Sequence, residues 1–262
     1  MDVSKTIAPL RMNLAPARKG LALSDCQFYH TMDLPGCGVV QAPDSKWDLR
    51  PHLDDIFHGI DFTNKRVIEV GPASGHLTFE MERRGADVLS VETAPDHEWD
   101  VIPFPGHRQM WGKASQDTWT KITNGWWFAH ERMNSKANVC YLSAHGITED
   151  SVGLADISLL ANVLLHNRDP LRMLTRTADV TKKTVVIVEQ WQDNMEATGE
   201  PLVRLDAKPE NPANWNVWWY FTTKYFANFL TVMGFTEISI HRYVIQWGNV
   251  PIKYFTLTAT RP

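Results

Sequence analysis

Hydrophobic and polar positions follow no fixed period up to about residue 45 and settle into recognisable periods from residue 66 onward. The early segment mixes Pro9, Pro16, Pro35, Gly36, Gly38 and Pro43 with short apolar pieces. That mixture predicts an irregular arm over residues 1–50, packed on the core, with a hairpin in QFYHTMDLPGCGVV. Trp47, Leu49, Leu53, Ile56 and Phe57 then recur at near-helical spacing before Gly59, which predicts a short helix. RVIEVG is a nearly continuous apolar run and reads as a short strand. Leu77, Phe79 and Met81, followed by Arg83, Arg84 and Gly85, predict a helix with a glycine stop, and DVLSVE follows as a second strand. Strand, helix and strand in about 30 residues form a βαβ unit with a right-handed crossover and parallel pairing.

The alternation continues after residues 94–137, which read as a Pro-rich loop leading into a helical stretch around GWWFAHERMNS. ANVCYLS, ADISLLANVLL and KTVVIVEQ are the next three strands, and RDPLRMLTRTADV is the helix between the last two, with Pro170 in its first turn. A polar excursion, DNMEATGEPLVRLDAKPENPANWN, precedes a helix in TTKYFANFLTVMG. TEISIHRYVIQW and IKYFTLTA flank a turn at Gly248 and Asn249 and predict a closing antiparallel hairpin. The expected fold is α/β: a Rossmann-like doubly wound sheet of about seven strands, with helices on both faces and ligands at the carboxyl ends of the strands.

Composition narrows the class. In 262 residues, 44% are apolar and 21% charged, which excludes disordered, collagen-like and disulfide-scaffold chains. The balance of 26 basic and 30 acidic residues is −4, so no global positive field draws in a nucleic-acid backbone. Cys26, Cys37 and Cys140 are widely spaced and fit reduced thiols. The segment MDVSKTIAPLRMNLAPARKG has no signal-like apolar stretch and no run reaches membrane-spanning length, so a soluble, cytoplasmic protein is expected. No His, Asp or Glu set has a metal-ligand spacing. Trp residues cluster at Trp99, Trp111, Trp119, Trp126 and Trp127 and again at Trp191, Trp215, Trp218 and Trp219. They suit either a core or the wall of a substrate pocket.

The first strand-to-helix turn, Glu69-Val70-Gly71-Pro72-Ala73-Ser74-Gly75, carries the clearest chemical signal. Gly71, Ala73 and Gly75 let the backbone bend sharply and approach a ligand. The spacing is G-x-A-x-G behind an acid, not the G-x-G-x-x-G of a dinucleotide site. An acid there repels phosphate and welcomes a cationic ligand, such as one bearing an ammonium and a sulfonium group. Glu92 ends the second strand 21 positions after Gly71, where an acid takes ribose hydroxyls.

With these residues in place, the chain resembles the class I S-adenosylmethionine-dependent methyltransferases, and more narrowly the branch around the tRNA wobble-uridine carboxymethyltransferase. YHTMDLPG is similar to that branch's arm, KWDLRPHLDDI to its lead-in helix, and VIEVGPASGHLTFEMERRGADVLSVE to its cofactor motif. The run NVLLHNRDPLRML and the stretch NVWWYFTTKYFANFLTVMGF continue the match. The resemblance implies a methyltransferase domain over 51–262, with aromatic-rich insertions near 94–137 and 191–221. It implies that Glu69, Gly71, Ala73 and Gly75 contact the methionine part of S-adenosylmethionine and that Glu92 holds its ribose. Gly146 and Ile147 would lie near the adenine, with Ala161 and Asn162 lining the site. Ser143-Ala144-His145 stands where many relatives have an acid facing the adenine. Lys46 stands where the tRNA enzyme has a lysine for its cofactor's extra carboxylate, but ordinary S-adenosylmethionine is the expected cofactor.

Methyl transfer needs alignment, exclusion of water and, for a hydroxyl acceptor, a base at the carboxyl edge of the sheet. His166 and Glu189 are the catalytic candidates, with His166 the better base because imidazole titrates near neutrality. His130 and His145 are weaker candidates, and His76 is expected to cap or line its helix start. Trp126, Trp127, Trp218, Trp219 and Tyr220 are the substrate-wall candidates. The expected activity is methylation of a hydroxyl or amine on a small metabolite, in natural-product or sugar modification. A tRNA wobble-uridine enzyme, which the charge balance disfavours, and a non-catalytic cofactor-binding subunit are the alternatives.

Overall fold

The computed structural model describes residues 14–43, 47–97, 113–206 and 217–262. Lys46, Trp99, Trp111 and Trp215, singled out above, lie outside them. The main sheet contains β3 (Arg66–Val70), β4 (Asp87–Glu92), β5 (Asn138–Tyr141), β6 (Ala155–Ala161), β7 (Thr181–Gln190), β10 (Glu237–Trp247) and β11 (Val250–Thr260). Two small antiparallel pairs accompany it: β1 (Met32–Leu34) with β2 (Gly38–Val40), and β8 (Val203–Leu205) with β9 (Trp219–Phe221). The main order is β10-β11-β7-β6-β3-β4-β5. The inner strands β7, β6, β3, β4 and β5 run parallel, and β11 pairs antiparallel with both β7 and β10. The doubly wound reading with a closing hairpin is the observed topology.

The order in which strands are added reverses at β3: β4 and β5 are laid down on one side of it, β6 and β7 on the other. A crevice opens at such a switch point, because consecutive crossovers leave on opposite faces. The inner strands β3, β4 and β6 are mostly apolar and buried because both faces are covered. Val67, Val186 and Val188 face one core with the arm and helices α1 (His76–Arg83) and α2 (Lys113–Arg132). Ile68, Val185 and Ile187 face the other, with α3 (Pro170–Asp179) and α4 (Thr223–Val232). The α3 start has Asp169 as its cap, whose carboxylate accepts the Arg172 amide at 3.0 Å, ahead of Pro170 in the first turn.

Helix α2 begins well before the GWWFAHERMNS stretch and spans 20 residues. Its Gly125 is explained by tertiary packing: a Cβ there would come within 2.8 Å of the Gln27 carbonyl. The arm backbone thus lies directly on α2, tied by the Gln27 amide to the Lys121 carbonyl at 2.9 Å and by Arg18 to Asn124 at 2.9 Å. A further link runs from the Tyr29 amide to the Ser74 hydroxyl at 3.0 Å, which fixes the arm against the first βα turn.

Candidate functional site

A cavity of about 660 Å³ opens at the carboxyl ends of β3, β4 and β6, within the range that holds a small organic ligand. The turn between β3 and α1 forms its floor, with Gly71, Pro72 and Ala73 in the lining. Gly71, Ala73 and Gly75 all have φ in the left-handed region, at 75°, 50° and 86°. Space is equally restrictive, since a Cβ on Gly71 would lie 2.9 Å from Val163 Cγ2. A Cβ on Gly75 would lie 2.5 Å from Phe79 and 2.7 Å from Trp126, so this glycine packs against the core behind the cavity instead of lining it.

Glu92, at the end of β4, is buried and lines the cavity. Its carboxylate accepts the Ala73 amide at 3.2 Å and the Thr93 amide at 2.7 Å. Burial raises its pKa to about 7, against the lowering effect of those amides. Glu69 also lines the cavity from β3; Thr78 and Ser90 donate hydroxyl hydrogen bonds to its Oε2. Burial raises Glu69 to about 7 as well, the two hydroxyls opposing it. At the end of β6, Ala161 and Asn162 line the same space. Asn162 has φ 51°, and its buried Oδ1 has no hydrogen-bond partner.

Gly146 and Ile147, expected near the adenine, are not part of the cavity lining. Ser143, Ala144 and His145 line the cavity, whereas Gly146 is exposed outside the lining and Ile147 is buried in the core. The cause is local: Ala144–Gly146 forms a single 3-10 turn whose first two residues line the cavity while its last, Gly146, is exposed. His145 Nε2 is 2.9 Å from Asn167 Oδ1, which joins this turn to the loop before α3.

His166 lines the cavity at the end of the 3-10 turn Leu164–His166. Glu189 is in another position. It is buried beneath that turn, outside the lining, and accepts the Leu164 amide at 3.0 Å. Burial raises Glu189 to about 8, while the amides of Leu165, Leu164, Gln190 and Val163 oppose the rise. Its carboxylate therefore positions the turn carrying His166.

The five aromatic wall candidates also lie outside the lining. Trp126 and Trp127 are buried in the core, where Trp126 stacks on His130 at 5.1 Å and packs against Phe79 at 5.4 Å. His130 bonds the Ala137 carbonyl at 3.0 Å. The Trp218 amide donates to the Leu165 carbonyl at 2.8 Å and the Trp219 indole donates to the Asn167 carbonyl at 2.9 Å, so both brace the His166 turn from outside. Tyr220 lies on β9 beneath the Arg204 guanidinium, 5.1 Å from its ring. The rings that do line the cavity include Tyr29, His30, Trp47, Trp119 and Tyr254. Two of these stood in the arm-like YHTMDLPG and one in KWDLRPHLDDI, but no local pattern ties them to a turn 40 residues on. His76, expected at its helix start, is buried there with Nε2 lacking a partner.

No protein-family model matches the chain, and no curated protein matches it in sequence. Solved structures match it in fold. The N-terminal domain of EvdMO1 with SAH bound is 16% identical over 81% of this chain and 79% of that one, at a TM-score of 0.51. Burkholderia thailandensis 1,6-didemethyltoxoflavin-N1-methyltransferase, with bound 1,6-didemethyltoxoflavin and S-adenosylhomocysteine, is 14% identical over 81% and 77%, at 0.52. An O-methyltransferase family protein from Burkholderia thailandensis is 14% identical over 81% of this chain and 56% of that one, at 0.53. The fold is that of the methyltransferases. At such identities the likeness concerns architecture alone, and chemistry resides in the site. Among the described residues, no group of His, Cys, Asp or Glu could hold a metal ion, and no helix is long and apolar enough to cross a membrane.

Proposed function

We propose that this protein transfers the methyl group of S-adenosylmethionine to a hydroxyl or amine of a small metabolite. The observation that carries the reading is the buried Glu92 carboxylate beside the left-handed turn at Gly71 and Ala73, facing a cavity at the sheet's switch point. A carboxylate at a strand end accepts two ribose hydroxyls, and the close-packed turn leaves room for an amino-acid moiety. The orphaned Asn162 Oδ1 offers a buried acceptor to a ligand N–H, such as an ammonium. Acidic groups at Glu69 and Glu92 suit a cation and disfavour a pyrophosphate. Ala144 and His145 take the adenine side.

When bound, S-adenosylmethionine supplies an electrophilic sulfonium methyl group. The turn and Glu92 would hold the donor with its methyl carbon open to the acceptor's lone pair, so that the methyl would pass to oxygen or nitrogen and the carbon–sulfur electron pair would stay on sulfur. His166, at the cavity edge, takes the acceptor's proton, and Glu189 positions the turn that carries it. The narrower likeness to the wobble-uridine branch rests on LLHNRDP and the late aromatic stretch, while the net charge of −4 favours a small acceptor over RNA.

Calorimetric titration of the protein with SAH, ATP and NAD tests the donor. Binding of SAH alone is expected, and preference for either phosphate ligand overturns the reading. Incubation with methyl-labelled donor and a metabolite extract tests the transfer. Tight donor binding without any labelled product would favour a non-catalytic subunit.

A further inference from the structure

The cavity has two chemically different sides. Toward α3 its lining is polar and charged, with His145, Arg168, Asp169 and Arg172. Toward the arm it is formed by Tyr29, His30 and Trp47 on one side and by Tyr254, Ile245 and Val188 on the other. Apart from Glu69 and Glu92 at the donor turn, no described lining residue on the arm side is Asp, Glu, Lys or Arg. Val188, Tyr254 and Ile245 stand on β7, β11 and β10, beyond β6 from the donor turn and Glu92, so a donor seated there leaves the space between these residues and the arm for the second substrate.

Ring groups dominate its surface. Tyr29 and His30 meet edge to face at 4.9 Å, and Trp47 packs 6.0 Å from Trp247 of the hairpin. The polar handles are neutral: burial pushes the His30 imidazole down to about 3, with nearby His76 adding to the effect, and burial raises the hydroxyls of Tyr29 and Tyr254. The Tyr254 hydroxyl accepts a long hydrogen bond of 3.3 Å from Gln190, which leaves its own proton to donate. His30 Nδ1 is buried without a partner.

We propose that the arm side binds an uncharged, planar aromatic or heteroaromatic acceptor that presents a hydroxyl or ring N–H, clasped by Tyr29, His30, Trp47 and Tyr254. This rests on the donor reading above. A flat ring buries apolar area against Trp47, Leu49 and Ile245, and its polar edge pairs with the tyrosine hydroxyls and the imidazole. Among the described residues of this side a charged acceptor finds no counter-charge, which is strongly unfavourable in a buried site.

The test uses naphthol as probe, with naphthoate and trimethylammonio-naphthalene as charged analogues, each titrated calorimetrically into the full chain with and without saturating SAH. Naphthol is expected to bind, and both charged analogues about tenfold or more weakly. Tyr254→Phe should weaken naphthol about three- to tenfold and Trp47→Ala about tenfold or more, with SAH affinity unchanged in both. Absence of naphthol binding in both titrations, equal affinity for naphthoate, or unchanged naphthol affinity in Tyr254→Phe overturns the proposal. Loss of SAH binding while naphthol still binds overturns the donor reading and leaves the acceptor class standing.

Discussion

The Glu92 carboxylate accepts the backbone N–H of Ala73 at 3.2 Å, so the end of β4 is joined to the turn that ends β3. One acid thus supports the left-handed backbone at Ala73 and faces the cavity. Glu92→Gln keeps the shape but replaces a charged acceptor with a neutral amide. SAH affinity is expected to fall about tenfold or more, because hydrogen bonds to charged groups contribute about 1.5–3 kcal/mol. With a pKa raised to about 7, Glu92 is increasingly protonated below neutrality, so wild-type affinity should also fall between pH 8 and pH 6. Calorimetry across that range checks both; an unaltered affinity in Glu92→Gln would remove Glu92 from the donor site.

Gly71 combines φ of 75° with a separation of only 2.9 Å between the position a Cβ would take and Val163 Cγ2. Gly71→Ala should therefore lose about 1–3 kcal/mol of stability. Gly71→Arg should abolish SAH binding, since its side chain fills the floor of the cavity. Adding Val163→Ala to Gly71→Ala removes the colliding methyl and should return part of the stability, measured by urea unfolding. No gain in the double variant would show that backbone conformation alone is responsible.

His166 and Glu189 separate by what each touches. His166→Ala should lower turnover by about a hundredfold to ten-thousandfold on a hydroxyl acceptor while SAH affinity stays constant. A parallel loss of SAH affinity would identify His166 as a residue that shapes the donor site.

Buried acids make stability depend on pH with a calculable sign. Glu69, Glu92 and Glu189 are raised from 4.5 to about 7, 7 and 8, so the folded protein holds protons that the unfolded chain has released. Their contribution falls as pH rises through that interval. His30 and His76 act oppositely, being lowered from 6.5 to about 3 and 4, but their effect is complete by about pH 6.5. Above that pH the acids act alone, so the ligand-free protein should lose stability from pH 6.5 to pH 8.5. Glu189→Gln should make this decline shallower. Thermal melts across the range decide it, and a slope unchanged by Glu189→Gln would contradict the raised pKa.

Local signals carried the fold a long way. RVIEVG, DVLSVE and KTVVIVEQ became β3, β4 and the greater part of β7, because uninterrupted apolar runs bounded by glycine or polar residues have few other ways to be buried. Gly71, Ala73 and Glu92 were legible for a similar reason: a strand end, a sharp turn and an acid on the next strand are separated by a fixed, short stretch of chain.

Tertiary structure alone decided which aromatic rings surround the cavity. Trp126 and Trp127 have the composition of a pocket wall, but α2 turns them inward, toward Phe79 and His130. Tyr29, Trp47 and Tyr254 look ordinary one by one and come together only when the arm docks on Gly125 and the C-terminal hairpin pairs with β7. Sequence patterning determines which side of an element is apolar, since that depends on its own period. Which distant elements share a cavity depends on crossover direction and on close backbone packing, and these exist only in the folded chain.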